Sequence, residues 1–177
     1  SNIKLTKYGS QGEKIKDIFF PGRVTDLSES ITSDSTRNYY YLSYDSPAVV
    51  AGDVCNPSNV GENEINVMKF NNSLEKIWNK PFGKKMLLIH SPLINLIDDN
   101  FILAGSGNLT MSKIEPPWIF IIDKNGDKLC ELFLKNHNGF SPNSIIVNKN
   151  EFLLVGTEMS SGDEDDSKIA IINIGYK

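Results

Sequence analysis

The chain has 177 residues and a formal net charge of -4, so it is the size of one domain and lacks the positive field that nucleic-acid binding requires. Its longest uninterrupted apolar runs are about five residues, whereas a membrane-spanning helix needs roughly 18 or more. We therefore expect no nucleic-acid partner and no membrane span. The chain begins Ser1-Asn2 without an initiator methionine, which indicates removal of a signal peptide, a pro-segment or a fusion tag.

The first segments predict a β-hairpin. Residues 3–8 (IKLTKY) and 13–20 (EKIKDIFF) alternate between apolar and polar side chains, and Gly9 and Gly12 lie between them. Period-two alternation interrupted by glycine is typical of two paired strands. After Pro21-Gly22 the alternation resumes weakly over residues 27–32, before a polar turn.

The next segment is rich in tyrosine. The sequence YYYLSY predicts a strand because aromatic residues favour strands, and the strands INVMKF and EKIWNKPF follow a long polar loop. Tyrosine offers rigid amphipathic contact area that is favoured at interfaces. The candidate binding residues are therefore Tyr39, Tyr40, Tyr41 and Tyr44. The alternative is ordinary packing of a strand.

From Met86 onward the sequence repeats itself. The run FILAG (101–105) returns as FLLVG (152–156), and WIFIID (118–123) returns as IAIIN (169–173). Ser-Pro pairs at 91 and 141 are 50 residues apart, as the numbering shows. The runs WIFII and FLLV are nearly all apolar, which predicts inner strands covered on both faces. No segment has helical apolar spacing, so we predict an all-β fold built from repeats.

Four short strands in about 50 residues match the length of a propeller blade. With its segments FILAG and IFIIDKNGDKL, the unit resembles the repeats of bacterial β-propellers of the quinoprotein-like type. The resemblance implies a β-propeller of four-stranded antiparallel blades, with about three blades in this chain. The predicted parts of this single domain are a half unit 3–20, units 27–82 and 86–134, and a partial unit 141–175.

Candidate chemistry is sparse. The densest carboxylate cluster, which could bind Ca²⁺ through hard oxygen ligands, consists of Asp163, Glu164, Asp165 and Asp166. Its metal candidates are Asp163, Asp165 and Asp166, and the alternative is a solvated loop. His90 and His137 lie outside known catalytic motifs. Cys55 and Cys130 lack zinc or redox spacing. Gly105-Ser106-Gly107 lacks the lysine and helix of a phosphate loop, and we predict no cofactor.

Repeats build a scaffold and function is added on loops, so the sequence favours a non-enzymatic, exported (secreted or periplasmic) module that binds a protein or a glycan. The alternative is a glycan-acting hydrolase that uses paired carboxylates, either Asp53 with Asp123, or Asp98-Asp99. Closed propellers need about four to eight blades. We therefore expect this chain to be one piece of a larger propeller, completed by a second chain, by another copy or by sequence removed on processing.

Overall fold

The computed structural model describes residues 2–21, 30–45, 63–86, 88–110, 113–137, 139–148, 151–159 and 167–175. Over these residues the chain consists of thirteen β-strands joined by turns and holds no helix. The predicted all-β class is therefore confirmed. No helix that could cross a membrane occurs in this part of the chain.

The strands form four antiparallel sheets in chain order, and each strand pairs with its neighbours in sequence. Sheet 1 is the hairpin of β1 (Asn2–Tyr8) and β2 (Lys14–Pro21). Sheet 2 holds β3 (Ser30–Ser33), β4 (Tyr39–Asp45), β5 (Asn63–Phe70) and β6 (Lys76–Met86). Sheet 3 holds β7 (Leu88–Ile97), β8 (Asn100–Thr110), β9 (Lys113–Ile122) and β10 (Lys128–Phe133). Sheet 4 holds β11 (Phe140–Asn148), β12 (Glu151–Met159) and β13 (Ser167–Gly175).

Sheets 2 and 3 are thus complete four-stranded units, whereas sheet 1 has two strands and sheet 4 has three. Among the described strands, β1 pairs only with β2, and β13 pairs only with β12. The first and last strands therefore belong to different sheets.

Four hairpins share one five-residue turn, which begins at Gly9, Asp34, Asn71 or Asp123. In the turn that begins at Asp123, Oδ1 of Asp123 accepts hydrogen bonds from the backbone N–H groups of Asn125 and Asp127, both at 2.8 Å. The side-chain oxygen satisfies two backbone donors that the tight turn leaves without strand partners. The fourth residue of each turn has a positive φ, at Gly12 (81°), Arg37 (64°), Leu74 (58°) and Gly126 (76°).

The first strands of sheets 3 and 4, β7 and β11, are irregularly paired at the repeated Ser-Pro pairs. The pairing of β7 with β8 shifts register between His90 and Leu93, and that of β11 with β12 shifts between Pro142 and Ser144. Proline has no N–H to donate, so it is tolerated in a sheet where a bulge breaks the ladder.

Sheets stack face to face, and each contact between neighbours has its own apolar core. Between sheets 2 and 3 the core is aromatic, with the rings of Tyr40 and Phe101 3.7 Å apart and those of Trp118 and Phe120 5.3 Å apart. The core between sheets 1 and 2 is smaller. Sheets 3 and 4 enclose the third core, which contains Ile97, Ile102, Ala104, Ile119, Phe140, Ile145, Phe152 and Leu154.

One part of the packing prediction is wrong. The run FILAG in β8 is buried on both faces, but in FLLVG of β12 only alternate residues are buried, and Leu153 and Val155 stay half-buried. The reason is that β8 lies in sheet 3, between two other sheets, whereas no described sheet covers the far face of sheet 4. Among the described residues, the far face of sheet 4 is therefore uncovered.

Candidate functional site: an acidic cleft between sheets 2 and 3

Three hairpin turns meet at one edge of the stack. In a four-stranded antiparallel sheet the first and third turns lie at the same edge because the strands alternate in direction. The turns β3–β4, β7–β8 and β9–β10 are thereby brought together around a cleft of about 190 Å³. Its walls are formed by Asp34, Ser35, Thr36, Leu96, Asp98, Asp99 and Lys124.

Asp34 is held by its own turn. Its carboxylate accepts five hydrogen bonds, two from Thr36 (2.9 and 2.8 Å), two from Asn38 (both 2.9 Å) and one from the Tyr40 hydroxyl at 3.0 Å. Burial by itself raises the pKa of Asp34, but the hydrogen bonds from Asn38, Thr36 and Tyr40 outweigh it and lower the pKa to about 2. This carboxylate stays ionised, and its lone pairs are already used.

The cleft is braced by contacts that cross from sheet 2 to sheet 3. Nζ of Lys69 donates to the carbonyl oxygen of Lys124 at 2.9 Å and lies 5.1 Å from the ring centre of Tyr40. The Tyr40 hydroxyl lies 3.4 Å from the same carbonyl. Burial, followed by the hydrogen bond to Asp34 and then by the charges of Asp34 and Asp123, raises the pKa of Tyr40, so its hydroxyl keeps its proton and remains a donor. Lys69 and Tyr40 therefore fix the position of the Lys124 backbone.

Asp98 and Asp99 form the two-residue turn between β7 and β8, where Ile97 pairs with Asn100. Asp98 has a φ of 53°, a conformation that Asp tolerates better than most residues. Within the described chain, neither carboxylate accepts a hydrogen bond from another side chain, in contrast to Asp34. These two exposed carboxylates are the acceptors that the cleft offers to a ligand.

The set of groups in the cleft favours a neutral polyhydroxyl ligand. Carboxylates accept from hydroxyl groups, the ammonium of Lys124 donates to them, and the hydroxyls of Ser35 and Thr36 can do both. Leu96 adds one apolar contact. A cleft of about 190 Å³ is smaller than the roughly 300–1,000 Å³ typical of drug-sized ligands. It therefore fits one unit of a larger ligand rather than a whole chain.

The structure places two of the four tyrosines predicted to bind a partner in the core. Tyr40 is 0% exposed and lies between sheets 2 and 3, and Tyr41 is buried between sheets 1 and 2. Both tyrosines therefore match the alternative interpretation, ordinary packing of a strand, because a side chain with almost no exposed surface cannot contact a partner. Tyr39 is half-buried, with Nζ of Lys7 5.9 Å from its ring centre. The side chain of Tyr44 lies outside the described residues.

Other predicted site residues are not brought together. Asp163, Asp165 and Asp166 lie outside the described residues, as does Asp53. Asp123 caps its turn, where burial raises its pKa but the N–H groups of Asp127 and Asn125 outweigh it and lower the pKa. In the described part of the chain no three His, Cys, Asp or Glu side chains are grouped to hold a metal ion.

The two histidines do not contribute to the cleft, whose lining residues include neither of them. Nδ1 of His137 lies 3.3 Å from Oε1 of Glu158, with both side chains about a third exposed. The backbone of His90 lies in β7, and its side chain is outside the described residues.

Sequence reasoning missed Asp34 and Lys124 as lining residues of one cleft. The available signal was the recurring turn that begins with Asp or Asn, because both residues lie in such a turn. The recurring turn predicts at which end of the strands each turn lies. It does not predict which neighbouring sheet the turn approaches.

Comparisons with known proteins support the fold. No protein-family model matches the chain, and no curated protein matches it. Among solved structures, it is similar to a mutant α-L-arabinanase of Cellvibrio cellulosa, with a TM-score of 0.50 and 14% identity over 93% of this chain and 60% of that chain. It is also similar to a native arabinanase of Bacillus subtilis, with a TM-score of 0.40 and 14% identity over 82% of this chain and 52% of that chain.

The chain thus spans less than two thirds of each arabinanase. The first likeness shows the fold alone, a β-propeller, and the predicted partial propeller of about three blades is confirmed. It supports a propeller-like resemblance but not the quinoprotein-like type.

Proposed function

We propose that this chain is part of a glycan-acting β-propeller and that the cleft between sheets 2 and 3 binds one sugar unit. The observation that carries the proposal is the pair of exposed carboxylates, Asp98 and Asp99, that face the same cleft as Lys124. Asp34 and the Lys69–Tyr40 brace hold the walls of that cleft in place. A preformed site of this kind binds with little ordering cost.

A glycan fits this cleft better than a protein segment does. The cleft is small and polar, and its exposed groups match sugar hydroxyls. Specific protein interfaces instead bury roughly 1,200–2,000 Å² and centre on aromatic anchors. The aromatic residues Tyr40 and Tyr41 are buried within this chain, so they offer no such anchor.

Hydrolysis of the glycan is the second candidate function, and the arabinanase likeness favours it over a general protein-binding module. A glycosidase needs two carboxyl groups, one of which is a general acid with a raised pKa. Asp34 cannot be that acid because its pKa is lowered to about 2. In a hydrolytic cleft the reacting carboxyl groups would have to include Asp98 or Asp99, with Asp34 as a fixed negative charge.

We further propose that the protein is exported, secreted or periplasmic, because polymeric glycans are met mainly outside the bacterial cytoplasm.

Titration calorimetry with arabinan oligosaccharides and a panel of other plant and bacterial glycans tests the proposal. We expect saturable binding to at least one glycan, and a loss of at least tenfold in affinity on Asp98→Asn or Asp99→Asn, since each change weakens about one charge-assisted hydrogen bond. The matched control is Glu75→Gln, an exposed carboxylate in a turn outside the cleft.

Turnover is measured on the same panel by release of reducing ends. Binding that survives Asp98→Asn or Asp99→Asn while turnover is lost would favour the hydrolase over the binding module. No binding to any glycan would overturn the proposed function, and so would cleft variants that equal the parent in both binding and turnover.

A further inference from the structure

The charged side chains that line the cleft are unbalanced. Asp34, Asp98 and Asp99 are carboxylates, whereas Lys124 is the single cation among the described lining residues. Two negative charges are therefore in excess. Between described residues, neither Asp98 nor Asp99 forms an ion pair with Lys124, and Lys124 pairs with no other carboxylate. The excess charge thus acts on whatever enters the cleft.

Charged groups beside the cleft do not remove this excess. Outside the lining, the neighbouring turns and the brace carry Arg37, Lys69, Lys80, Asp123 and Asp127. Lys80 and Asp127 form an ion pair at 2.7 Å. The charge of Lys69 is matched by that of Asp123, which begins the turn that contains Lys124. Arg37 is exposed and is not among the lining residues, so water weakens its effect. The cleft therefore keeps a net negative charge.

The carboxylate of Asp34 is not required by its turn. Asn71 begins the same turn between β5 and β6, and its Oδ1 accepts hydrogen bonds from the N–H groups of Ser73 and Glu75, both at 2.9 Å. Oδ1 of Asp34 accepts the two corresponding N–H groups, also at 2.9 Å. A neutral amide thus supports the same backbone hydrogen bonds. The turn of Asn71 does not line the cleft, whereas that of Asp34 does, so the charge is placed beside the ligand site.

We propose that the cleft binds uncharged sugar units and excludes units that carry a carboxylate or a sulfate, and that Asp34 is a specificity-determining residue for this selection. The inference rests on the proposed function and names the class of glycan that the cleft takes. A site gains specificity when it places an unpaired like charge against the wrong ligand. Because the lone pairs of Asp34 are used within its own turn and by Tyr40, its charge acts on a ligand through repulsion rather than through a hydrogen bond.

The size of the cleft sets the strength of the selection. A cleft of about 190 Å³ is about 7 Å across if it is taken as a sphere, which is well below the Debye length of about 30 Å at an ionic strength of about 0.01 M. Even with the dielectric constant of water, one like charge at about 7 Å weakens binding by about two- to threefold, and two weaken it by about five- to tenfold. An acidic unit should therefore bind at least about fivefold more weakly than its neutral form.

Titration calorimetry at an ionic strength of about 0.01 M tests the inference. The probes are the neutral oligosaccharides of the binding panel, those of arabinan among them. Each is compared with the same oligosaccharide after oxidation of its primary hydroxyl groups to carboxylates, and with the methyl ester of the oxidised form, which is neutral again. We expect the oxidised form to bind at least about fivefold more weakly, and the methyl ester to recover the affinity. The difference should disappear near 1 M salt, where the Debye length is about 3 Å.

Asp34→Asn tests the role of the residue. It removes one of the two excess charges, so it should at least halve the ratio of neutral to oxidised affinity. The matched control, Glu75→Gln, removes one carboxylate outside the cleft and should leave the ratio unchanged. The ratio is the readout because a disturbed turn would lower both affinities together. Circular dichroism checks that both variants fold.

Equal affinity for the two forms at low salt, or tighter binding of the oxidised form through Lys124, would overturn the inference and leave the proposed function intact. A difference that neither methyl esterification nor salt removes would also overturn it, since the cause would then be shape rather than charge. An unchanged ratio in Asp34→Asn would overturn the role of Asp34. If no oligosaccharide of the panel binds, the proposed function fails, and the inference fails with it.

Discussion

Gly105 closes the run FILAG, and adding a single methyl group there tests the packing between sheets 2 and 3. A Cβ at Gly105 would lie 2.6 Å from Cη2 and 2.9 Å from Cε2 of Trp118, with Cζ2 closer still. Carbon atoms in contact prefer roughly 3.5–4.0 Å, so the ring would have to move by about 1 Å. Trp118 is 0% exposed and stacks on Phe120, so it has no space to move into.

Overpacking a core costs roughly 1–3 kcal/mol, and a fully enclosed ring places Gly105→Ala at the top of that range. We expect a loss of about 3 kcal/mol in the free energy of unfolding, which for a chain of this size lowers the melting temperature by roughly 6–12 °C. Urea unfolding followed by tryptophan fluorescence measures the loss. Gly175→Ala is the matched control, because nothing lies within 4 Å of its Cβ position.

A double-mutant cycle identifies the cause of the loss. If the clash with the indole ring is responsible, Trp118→Leu in the Gly105→Ala background should cost at least about 1 kcal/mol less than the sum of the single changes. A loss below about 0.5 kcal/mol for Gly105→Ala, or strict additivity in the cycle, would refute the packing argument.

Three further predictions follow from the described contacts. The pKa of Asp34 is about 2 in the folded chain against 3.8 for a free side chain, so its hydrogen bonds stabilise the fold fully above pH 3.8 and the contribution is lost as the pH falls toward 2. Asp34→Asn should therefore lower the free energy of unfolding by about 1 kcal/mol near neutral pH, after allowance for solvent screening. In urea unfolding, this difference in free energy from the parent should shrink below pH 4. A difference that does not change with pH would contradict the prediction. Lys69→Met removes the hydrogen bond to the Lys124 carbonyl and should lower the free energy of unfolding by roughly 1.5–3 kcal/mol. The control Lys76→Met, at an exposed lysine, should change it by less than about 0.5 kcal/mol. Equal losses in the two variants would show that the hydrogen bond between the sheets is not the cause. Far-ultraviolet circular dichroism should give a β spectrum, and a substantial helical signal would contradict the all-β fold.

The sequence by itself determined the strands and their turns. Alternating runs such as IKLTKY, and turns opened by Asp34, Asn71 and Asp123, depend on the pleat of a strand and on hydrogen bonds within five residues. Both are local, so they can be read without knowledge of the neighbours. The constant offset between repeats then gave the number of units, because each unit repeats the same local pattern.

Only the tertiary structure decided which faces are covered and which side chains meet. FILAG and FLLVG have nearly the same sequence, yet Leu153 and Val155 stay half-buried because burial depends on an adjacent sheet and not on the strand itself. The cleft likewise joins turns of different sheets, and its brace connects residues 55 positions apart, Lys69 and Lys124. Such proximity arises from the stacking of the sheets, and hydrophobic periodicity carries no information about the side chains that stacking brings together.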